Sequence, residues 1–373
     1  MRYRRFGQTN LHLSVFSLGT MRCLASEETA VQTIRRAVEL GINHLETAQA
    51  YGNSEIYLGT ALADLPVSRQ QIHLTTKITP TPDAASMARA IDRSLDRLGV
   101  DQIDCLAIHG INTWEHLAWI EDEQGCMQAV RQAVADGRVK HVGFSTHAPL
   151  EIILRAIATD QFEFVNLHYY FFNQRNQAAV AAAAAKDMGV FIISPADKGG
   201  MLYRPPQRLI DLCQPFSPLE LTYRFLLSDP RITTLSVGAA HSSELNLSGA
   251  GQDGALTQAE TAALERLQTH LEQTLATERC SQCYQCLPCP EGINIPEVLR
   301  LRNLAVAYEM SDFSQYRYRM FENAGHWFPG TKANRCTDCG DCLPRCPENL
   351  AIPDLLRDAH ARLNGAPRRR LWQ

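Results

Sequence analysis

The apolar positions in the first two thirds of the chain alternate between a helical period and short buried runs. Ser26 can cap a helix that stops at Gly41, and a short apolar strand around Leu45 follows at once. The apolar face of that helix consists of Val31, Ile34 and Val38. The same order of helix, glycine and apolar strand recurs, which predicts repeated βαβ units. The later glycines of this kind are Gly99, Gly137 and Gly189.

Eight strands follow from this pattern, a number that fits a closed (β/α)8 barrel. They are centred near Phe16, Leu45, Leu74, Leu106, Val142, Val165, Ile192 and Leu235. The alternative is a doubly wound dinucleotide-binding sheet, which requires G-x-G-x-x-G after an early strand, and the sequence has no such motif there. Residues 1–13 predict an additional hairpin with turn chemistry at 7–10. We therefore expect an α/β protein built on a TIM barrel.

Four protonatable side chains stand at or just past the ends of three successive predicted strands. Glu46 and Tyr51 follow the strand around Leu45, Lys77 closes the next strand, and His109 closes the third. Taken singly, each residue is more often a packing or solvated residue than a catalyst. Their shared position is what the carboxyl ends of parallel barrel strands produce. A carboxylate, a phenol, an ammonium and an imidazole together suit proton transfer to a carbonyl oxygen.

Small and polar residues also follow the later strands. They are Ser145, Asn166, Ser194, Lys198 and Gly238. Such groups suit the amide and the phosphates of a cofactor, because the loops after strands seven and eight of barrels often bind phosphate. The alternative, that the glycines are only turn residues, is the better interpretation of any one of them alone.

Composition and charge do not indicate a nucleic-acid or membrane-surface partner. The chain of 373 residues is 45% hydrophobic and 20% charged, with a formal net charge of -4. The basic amino-terminal residues are not followed by the apolar run of a secretory signal. The apolar helix at 178–185 is too short to span a bilayer. We expect a cytoplasmic protein without membrane insertion.

Eight of the twelve cysteines fall in two tight clusters near the carboxyl end, which is a pattern of metal ligands and not of disulfides. The second cluster, at 336–347, reads C-x2-C-x2-C-x3-C-P, the ferredoxin run, and the first, at 280–290, is one residue shorter before its last cysteine. Zinc is the alternative, but it usually takes two C-x2-C pairs with a long spacer. We predict iron-sulfur clusters, and packing roles for Cys23, Cys105, Cys126 and Cys213.

An internal repeat supports two clusters. Residues 289–300 match residues 346–357, and each copy ends in a helix that starts with proline. In two-cluster ferredoxins the fourth cysteine crosses to the other cluster. We therefore expect one [4Fe-4S] centre on Cys280, Cys283, Cys286 and Cys346, and the other on Cys336, Cys339, Cys342 and Cys289. Because the spacer is helical in pattern, residues 276–373 predict a small, mainly α-helical ferredoxin-like domain.

The segment Glu46-Thr47-Ala48-x-x-Tyr51-Gly52-x-Ser54-Glu55, followed by Lys77, His109 and Gly143-Phe144-Ser145, resembles the aldo-keto reductases. The resemblance covers residues 1–275 and implies a (β/α)8 barrel domain over that range. It also implies that the protein binds NADP(H) and moves hydride between the nicotinamide and a small-molecule carbonyl or alcohol substrate.

The resemblance implies a role for each catalytic candidate. Tyr51 would be the general acid, Lys77 the cation that lowers the pKa of Tyr51, Glu46 the partner of Lys77, and His109 the group that orients the substrate oxygen. An ordinary tyrosine has a pKa of about 10, so a nearby cation is needed to make its phenolate accessible near neutrality. The cofactor residues implied in the same way are Gly19, Thr20, Ser145, Asn166, Ser194, Lys198, Gly238, Glu244 and Asn246.

Three positions depart from the family pattern. Glu46 stands where the family usually has aspartate, and Asn166 stands where it often has glutamine. His241 stands where a more basic residue would hold the 2'-phosphate of NADP, in a loop that is short. NAD(H) therefore remains an alternative to NADP(H).

Two hypotheses for the function follow. The first is an NAD(P)H-dependent oxidoreductase of the aldo-keto reductase type with fused 4Fe-4S clusters. Hydride carries two electrons and a cluster accepts one, and the sequence has no flavin motif to convert between them. The clusters would then serve a redox protein partner, sense redox state, or stabilise their domain. The second hypothesis is an electron-transfer or regulatory nicotinamide-binding subunit with little carbonyl reductase activity.

Overall fold

The computed structural model describes residues 1–196, 202, 204–245, 247, 252 and 254–365. Its strands are β1 (Tyr3–Arg5), β2 (His12–Ser14), β3 (Phe16–Gly19), β4 (His44–Glu46), β5 (His73–Ile78), β6 (Ile103–His109), β7 (Val139–Ser145), β8 (Phe164–Leu167), β9 (Gly189–Ile192) and β10 (Thr234–Val237). Its helices are α1 (Glu27–Glu39), α2 (Ser54–Leu62), α3 (Ala84–Leu98), α4 (Trp114–Glu121), α5 (Cys126–Ala135), α6 (Leu150–Ala158), α7 (Gln177–Ala185), α8 (Gln207–Cys213), α9 (Pro218–Leu227), α10 (Gln258–Leu275), α11 (Ile295–Tyr308), α12 (Ser311–Tyr318) and α13 (Ile352–Leu363).

Strands β3 to β10 close into a parallel barrel in which β10 pairs with both β9 and β3. Each predicted strand centre lies within one of these eight strands, so the predicted TIM barrel is confirmed. The register aligns the strand ends. His109 lies opposite Ser145, and Ser145 lies opposite Asn166. These polar residues therefore share the carboxyl edge of the barrel, where barrel enzymes carry their sites.

The predicted hairpin is also present, with β1 antiparallel to β2. Phe6 and Leu13 from the hairpin are fully buried and belong to one apolar cluster with Phe164 and Phe191. Phe164 is the first residue of β8, so this cluster fills the amino-terminal end of the barrel. The candidate catalytic groups lie at the opposite, carboxyl end of the barrel.

Capping side chains satisfy the first turn of two helices, and the cap at Ser26 is the one predicted from the sequence. The Ser26 side chain accepts a hydrogen bond from the Thr29 amide at the start of α1, 3.1 Å away. At the start of α10, the Thr257 hydroxyl accepts from the Glu260 amide and the Glu260 carboxylate accepts from the Thr257 amide. This reciprocal pair satisfies two amides that would otherwise lack partners inside the helix.

The chain divides into two compact units, Met1–Pro195 with Thr222–Ala255, and Ala196–Leu221 with Leu256–Gln373. The first contains the barrel. In the second, α10 packs against α8 and α11, and α11 packs against α12 and α13. Aromatic side chains from the spacer between the cysteine clusters are buried in this unit, among them Phe313, Tyr318 and Phe321. The domain boundary expected at residue 275 stays a prediction.

Within the ranges that the structure describes, no helix combines the length and the apolar character needed to cross a bilayer.

Candidate active site

The loop after β4 presents Tyr51 to the barrel mouth. The Tyr51 amide donates to the Ala48 carbonyl and the Ser54 amide donates to the Tyr51 carbonyl, each at 3.0 Å, so the loop forms two consecutive turns before α2. Gly52, between them, has a φ of 55°, which lies in the left-handed region that glycine adopts without steric cost. The chain therefore turns at this glycine directly after Tyr51.

The structure brings Tyr51, Lys77 and His109 together. The Lys77 Nζ lies 4.7 Å from the centroid of the Tyr51 ring. The His109 imidazole meets the same ring edge-on, with 5.7 Å between the ring centroids and 86° between the planes. Tyr51 thus has a cationic side chain and an imidazole as direct neighbours, which is the arrangement expected for a phenol that transfers a proton.

Lys77 and Glu46 form a buried ion pair, with side-chain exposures of 1% and 5%. The ammonium also donates to the Thr47 carbonyl at 2.7 Å, so the pair is anchored to the backbone after β4. Burial lowers the pKa of Lys77 well below its ordinary value, whereas the adjacent carboxylate favours the charged form. Burial also raises the pKa of Tyr51 above its ordinary value. The phenol is therefore held in its protonated form, ready to donate.

Gly19 and Thr20 lie directly behind this ion pair. A Cβ on Gly19 would approach the Ser236 Oγ to 2.4 Å and the Glu46 Oε2 to 3.1 Å, so a side chain there would displace the Ser236 hydroxyl and crowd the Glu46 carboxylate. The Thr20 hydroxyl donates to the Glu46 carbonyl at 3.0 Å and shares a hydrogen bond of 2.6 Å with the Ser54 hydroxyl. Thr20 therefore fixes the end of β4 in this structure.

Helix α3 holds the Tyr51 loop from outside the barrel. Arg97 donates to the Gly52 carbonyl, and its Nε lies 3.4 Å from the carboxylate of the fully buried Glu55. Arg93 donates to the Gln49 side chain at 2.6 Å. Burial raises the pKa of Glu55, and the neighbouring Arg97 acts in the opposite direction. Sequence reasoning missed these contacts, because their partners are about 45 positions apart and belong to no motif.

Two of the predicted cofactor residues stand on β7 and β8, the two strands that follow the strand of His109 around the barrel. Ser145 is the last residue of β7, and Asn166 lies opposite it on β8. Both are buried, and neither amide atom of Asn166 has a hydrogen-bond partner among the described residues. Buried amides in proteins are nearly always hydrogen-bonded. The residue therefore fits a group that offers both a donor and an acceptor, as the carboxamide of a nicotinamide does.

The remaining cofactor candidates are spread over the last two strand ends. Ser194 lies two residues after β9, and Gly238 follows β10. Arg22 donates to the Gly238 carbonyl at 2.6 Å and pairs with Glu244 at 3.0 Å. The guanidinium of Arg22, from the segment after β3, therefore lies in this loop. It adds a positive charge to a loop in which the resemblance implies a more basic residue than His241. Lys198 and Asn246 lie outside the described residues.

The second unit brings each predicted set of four cysteines together. Burial, with smaller contributions from the neighbouring Cys283 and Cys346, raises the pKa of Cys280 to about 11. Burial likewise raises the pKa of Cys286 to about 12, with contributions from Cys280 and Cys283. A single cavity is lined by the four cysteines of the other set, which are Cys289, Cys336, Cys339 and Cys342.

The two cysteine runs also have matching backbones. Gln282 and Asp338, which hold equivalent positions, have φ values of 60° and 56°. Helices α11 and α13, which follow the runs, both carry proline in the first turn, as the repeat predicts. In each set, three thiols from one run and one thiol from the other fit the four-cysteine ligand requirement of a cubane cluster.

Comparisons with known proteins agree with both halves of this description. Residues 16–214, just over half of the chain, match the model of the aldo/keto reductase family. Residues 279–351 match the model of a 4Fe-4S dicluster domain. The chain therefore belongs to the aldo/keto reductase family, a family of oxidoreductases, and carries a ferredoxin-type domain at its carboxyl end.

Individual relatives resemble the barrel. The uncharacterized oxidoreductase YqkF of Bacillus subtilis (strain 168) is 24% identical over 315 residues, which cover 74% of this chain and 98% of that protein. Methylglyoxal reductase DkgB of Escherichia coli O157:H7 is 27% identical over 183 residues, or 49% of this chain and 66% of DkgB. The solved holo form of aldo-keto reductase AKR11C1 from Bacillus halodurans has a TM-score of 0.63 at 23% identity, covering 71% of this chain and 96% of that one. That likeness shows the fold alone.

Proposed function

We propose that this protein is a nicotinamide-dependent carbonyl reductase in which Tyr51 donates a proton to the carbonyl oxygen of the substrate. The observation that carries the proposal is the contact of the Tyr51 ring with both the Lys77 ammonium and the His109 imidazole at the carboxyl edge of the barrel. NADP(H) is the proposed cofactor, with NAD(H) as the alternative. When bound, this cofactor supplies the hydride.

Each side chain has a distinct task in this proposal. The Tyr51 phenol, protonated because burial raises its pKa, gives its proton to the developing alkoxide. The Lys77 charge then stabilises the phenolate that remains, and Glu46 holds Lys77 in place. His109 aligns the carbonyl oxygen with the phenol. Asn166 and Ser145 are proposed to orient the nicotinamide carboxamide, which accounts for the unpartnered amide of Asn166.

The carboxyl-terminal domain is proposed to hold two [4Fe-4S] clusters on the two convergent cysteine sets. We assign this domain to residues 276–373 and the reductase to residues 1–275. The clusters would exchange electrons with a redox protein partner or respond to redox state. The dicluster domain also supports a second candidate function, a nicotinamide-binding electron-transfer subunit.

Anaerobic titration distinguishes the two functions. The protein, purified without oxygen and analysed for iron and sulfide, is mixed with NADPH or NADH in the presence and absence of an aldehyde. A reductase consumes the reduced nicotinamide only when the aldehyde is present, and the visible absorbance of the clusters stays unchanged. Bleaching of the clusters by the nicotinamide alone, without aldehyde reduction, would instead support the electron-transfer subunit.

A further inference from the structure

Three imidazoles stand at the carboxyl ends of three successive barrel strands. His109 is the last residue of β6, His147 lies two residues after β7, and His168 lies one residue after β8. The rings of His147 and His168 have centroids 4.8 Å apart and planes at 55°. His147 is half-buried and His168 is buried. This pair lies outside the group formed by Tyr51, Lys77 and Glu46, and the proposed proton transfer does not use it.

Hydrogen bonds between neighbouring loops fix the backbone that carries this pair. The His147 amide donates to the Asn112 side chain at 2.7 Å, which ties the loop after β7 to the loop after β6. The Thr146 hydroxyl donates to the Ile111 carbonyl, also at 2.7 Å. The Asn176 amide group donates to the His168 carbonyl at 2.9 Å. The two imidazoles are therefore mounted on a cross-linked frame, as a preformed binding site requires.

Arg175 adds a cation beside the pair. One of its terminal nitrogens donates to the His147 carbonyl at 3.1 Å and contacts the Ala148 carbonyl at 3.4 Å. Its Nε is buried and has no hydrogen-bond partner, and Arg175 forms no ion pair with a carboxylate in the part of the chain that is described. Arg175 is half-buried, guanidinium is charged at all physiological pH values, and a buried donor atom without a partner is unfavourable. An anion at this position would supply the missing partner.

The strand geometry relates this position to the predicted reaction centre. His168 lies two residues beyond Asn166, and His147 lies two residues beyond Ser145, and both histidines stand just past the ends of their strands. The pair therefore lies at the same carboxyl edge of the barrel as the predicted cofactor residues. A group bound by the histidines would lie at this edge, next to the proposed nicotinamide site.

We propose that His147, His168 and Arg175 form an anion subsite that binds the carboxylate of an aldehyde or ketone substrate. This inference rests on the proposed function, because it specifies the substrate class of the same site. The guanidinium has a donor geometry that matches a carboxylate, and the two imidazole rings place polar nitrogens beside it. Charge-assisted hydrogen bonds of this kind are stronger than neutral ones. Acidic carbonyl compounds are therefore the preferred substrates.

The test compares 4-carboxybenzaldehyde with its neutral methyl ester, methyl 4-formylbenzoate, in NADPH-dependent reduction by the anaerobic holoprotein. For the unmodified protein we expect kcat/KM to be at least tenfold higher for the acid. Arg175→Gln and His168→Gln should each lower kcat/KM for the acid at least tenfold and for the ester less than threefold, and Arg175→Lys should recover part of the loss. Arg155→Gln removes an exposed arginine of α6 that pairs with Glu121 of α4, and it should change kcat/KM for neither substrate. If the unmodified protein has equal kcat/KM values for the acid and the ester, the proposed subsite is wrong, and no variant is needed to show it.

Two binding measurements distinguish a substrate subsite from a cofactor phosphate site and from an inactive barrel. NADPH affinity is followed by fluorescence quenching in the same variants. A tenfold loss of NADPH affinity with an unchanged preference for the acid would assign the anion to a cofactor phosphate and overturn the proposal. If the unmodified protein reduces neither aldehyde, the proposed function fails, and calorimetric titration with benzoate tests the subsite alone. Benzoate binding that disappears in Arg175→Gln supports the subsite, whereas binding that is equal in both proteins, or undetectable in both, contradicts it.

Discussion

The Lys77 ammonium lies 4.7 Å from the centre of the Tyr51 ring while it forms an ion pair with Glu46 on the neighbouring strand. This buried lysine therefore has two separable effects, one on stability and one on the phenol. Lys77→Met alone leaves a buried carboxylate without a partner and should cost about 3–5 kcal/mol of unfolding free energy. The double variant Lys77→Met with Glu46→Gln should recover most of that stability but remain at least 100-fold slower in aldehyde reduction. Denaturant unfolding and NADPH oxidation measure the two quantities. Reduction at the unmodified rate by the double variant would show that the phenol does not need this cation.

Arg97 links the Gly52 carbonyl to the buried Glu55, and so it sets the position of the Tyr51 loop. We expect Arg97→Met to lower kcat about 10- to 100-fold, because small displacements of a reacting group are costly in rate. NADPH affinity should change less than threefold, since the residue does not border the predicted cofactor site. Arg89→Met, on the exposed side of the same helix, is the matched control. Equal kcat values for the two variants would mean that the loop holds its shape without this anchor.

His44 makes the stability of the barrel depend on pH. Its ring shares hydrogen bonds with the Ser17 hydroxyl at 2.6 Å and the Thr75 hydroxyl at 2.7 Å, and burial lowers its pKa from 6.5 to about 3. The unfolded chain therefore binds a proton at this site below pH 6.5, while the folded chain does not until about pH 3. Stability that is present above pH 6.5 is lost as the pH falls through this window.

Between the two pKa values, His44 makes the free energy of unfolding fall by about 1.4 kcal/mol for each unit by which the pH is lowered, or about 2 kcal/mol between pH 6.5 and pH 5.0. Unfolding of His44→Gln under anaerobic conditions should lose this part of the pH dependence, and the exposed control His12→Gln should keep it. If His44→Gln and the unmodified protein show the same slope, the imidazole is not the group that titrates.

The crossed arrangement of the cysteines predicts which substitutions act on the same cluster. Cys286→Ser and Cys346→Ser should each lower the iron content by about half, and the double variant should lose no more iron than either single one, since the two thiols serve one cubane. Cys286→Ser with Cys342→Ser should remove nearly all the iron. Cys213→Ser, which alters a buried cysteine outside both sets, is the control. An additive loss from Cys286 and Cys346 would contradict the crossed assignment.

Much of this description follows from the sequence because the decisive residues sit at positions that local patterns define. The strand ends at Glu46 and His109 are marked by short apolar runs, and the cysteine runs carry their ligand spacing in the chain itself. The matching φ values at Gln282 and Asp338 follow the same repeat. Such signals are local, so no knowledge of distant packing is needed to interpret them.

Other features depend on contacts between distant segments, and no local pattern marks them. Arg97 and Gly52 meet because α3 packs beside the Tyr51 loop, and Arg22 meets Glu244 across 222 positions. The pairing of His147 with His168 could have been found, because each histidine follows a predicted strand end on the same edge of the barrel. That signal requires the polar residues beyond the strands to be compared with one another, and not only with a family motif.

The most direct test of the central claim is the rate of aldehyde reduction by Tyr51→Phe, measured alongside its affinity for NADPH. The substitution removes one hydroxyl and leaves the ring against Lys77 and His109. If Tyr51 donates the proton, kcat should fall at least 100-fold while the dissociation constant for NADPH, followed by fluorescence quenching, changes less than threefold. A variant that binds NADPH normally and reduces the aldehyde at close to the unmodified rate would contradict the account.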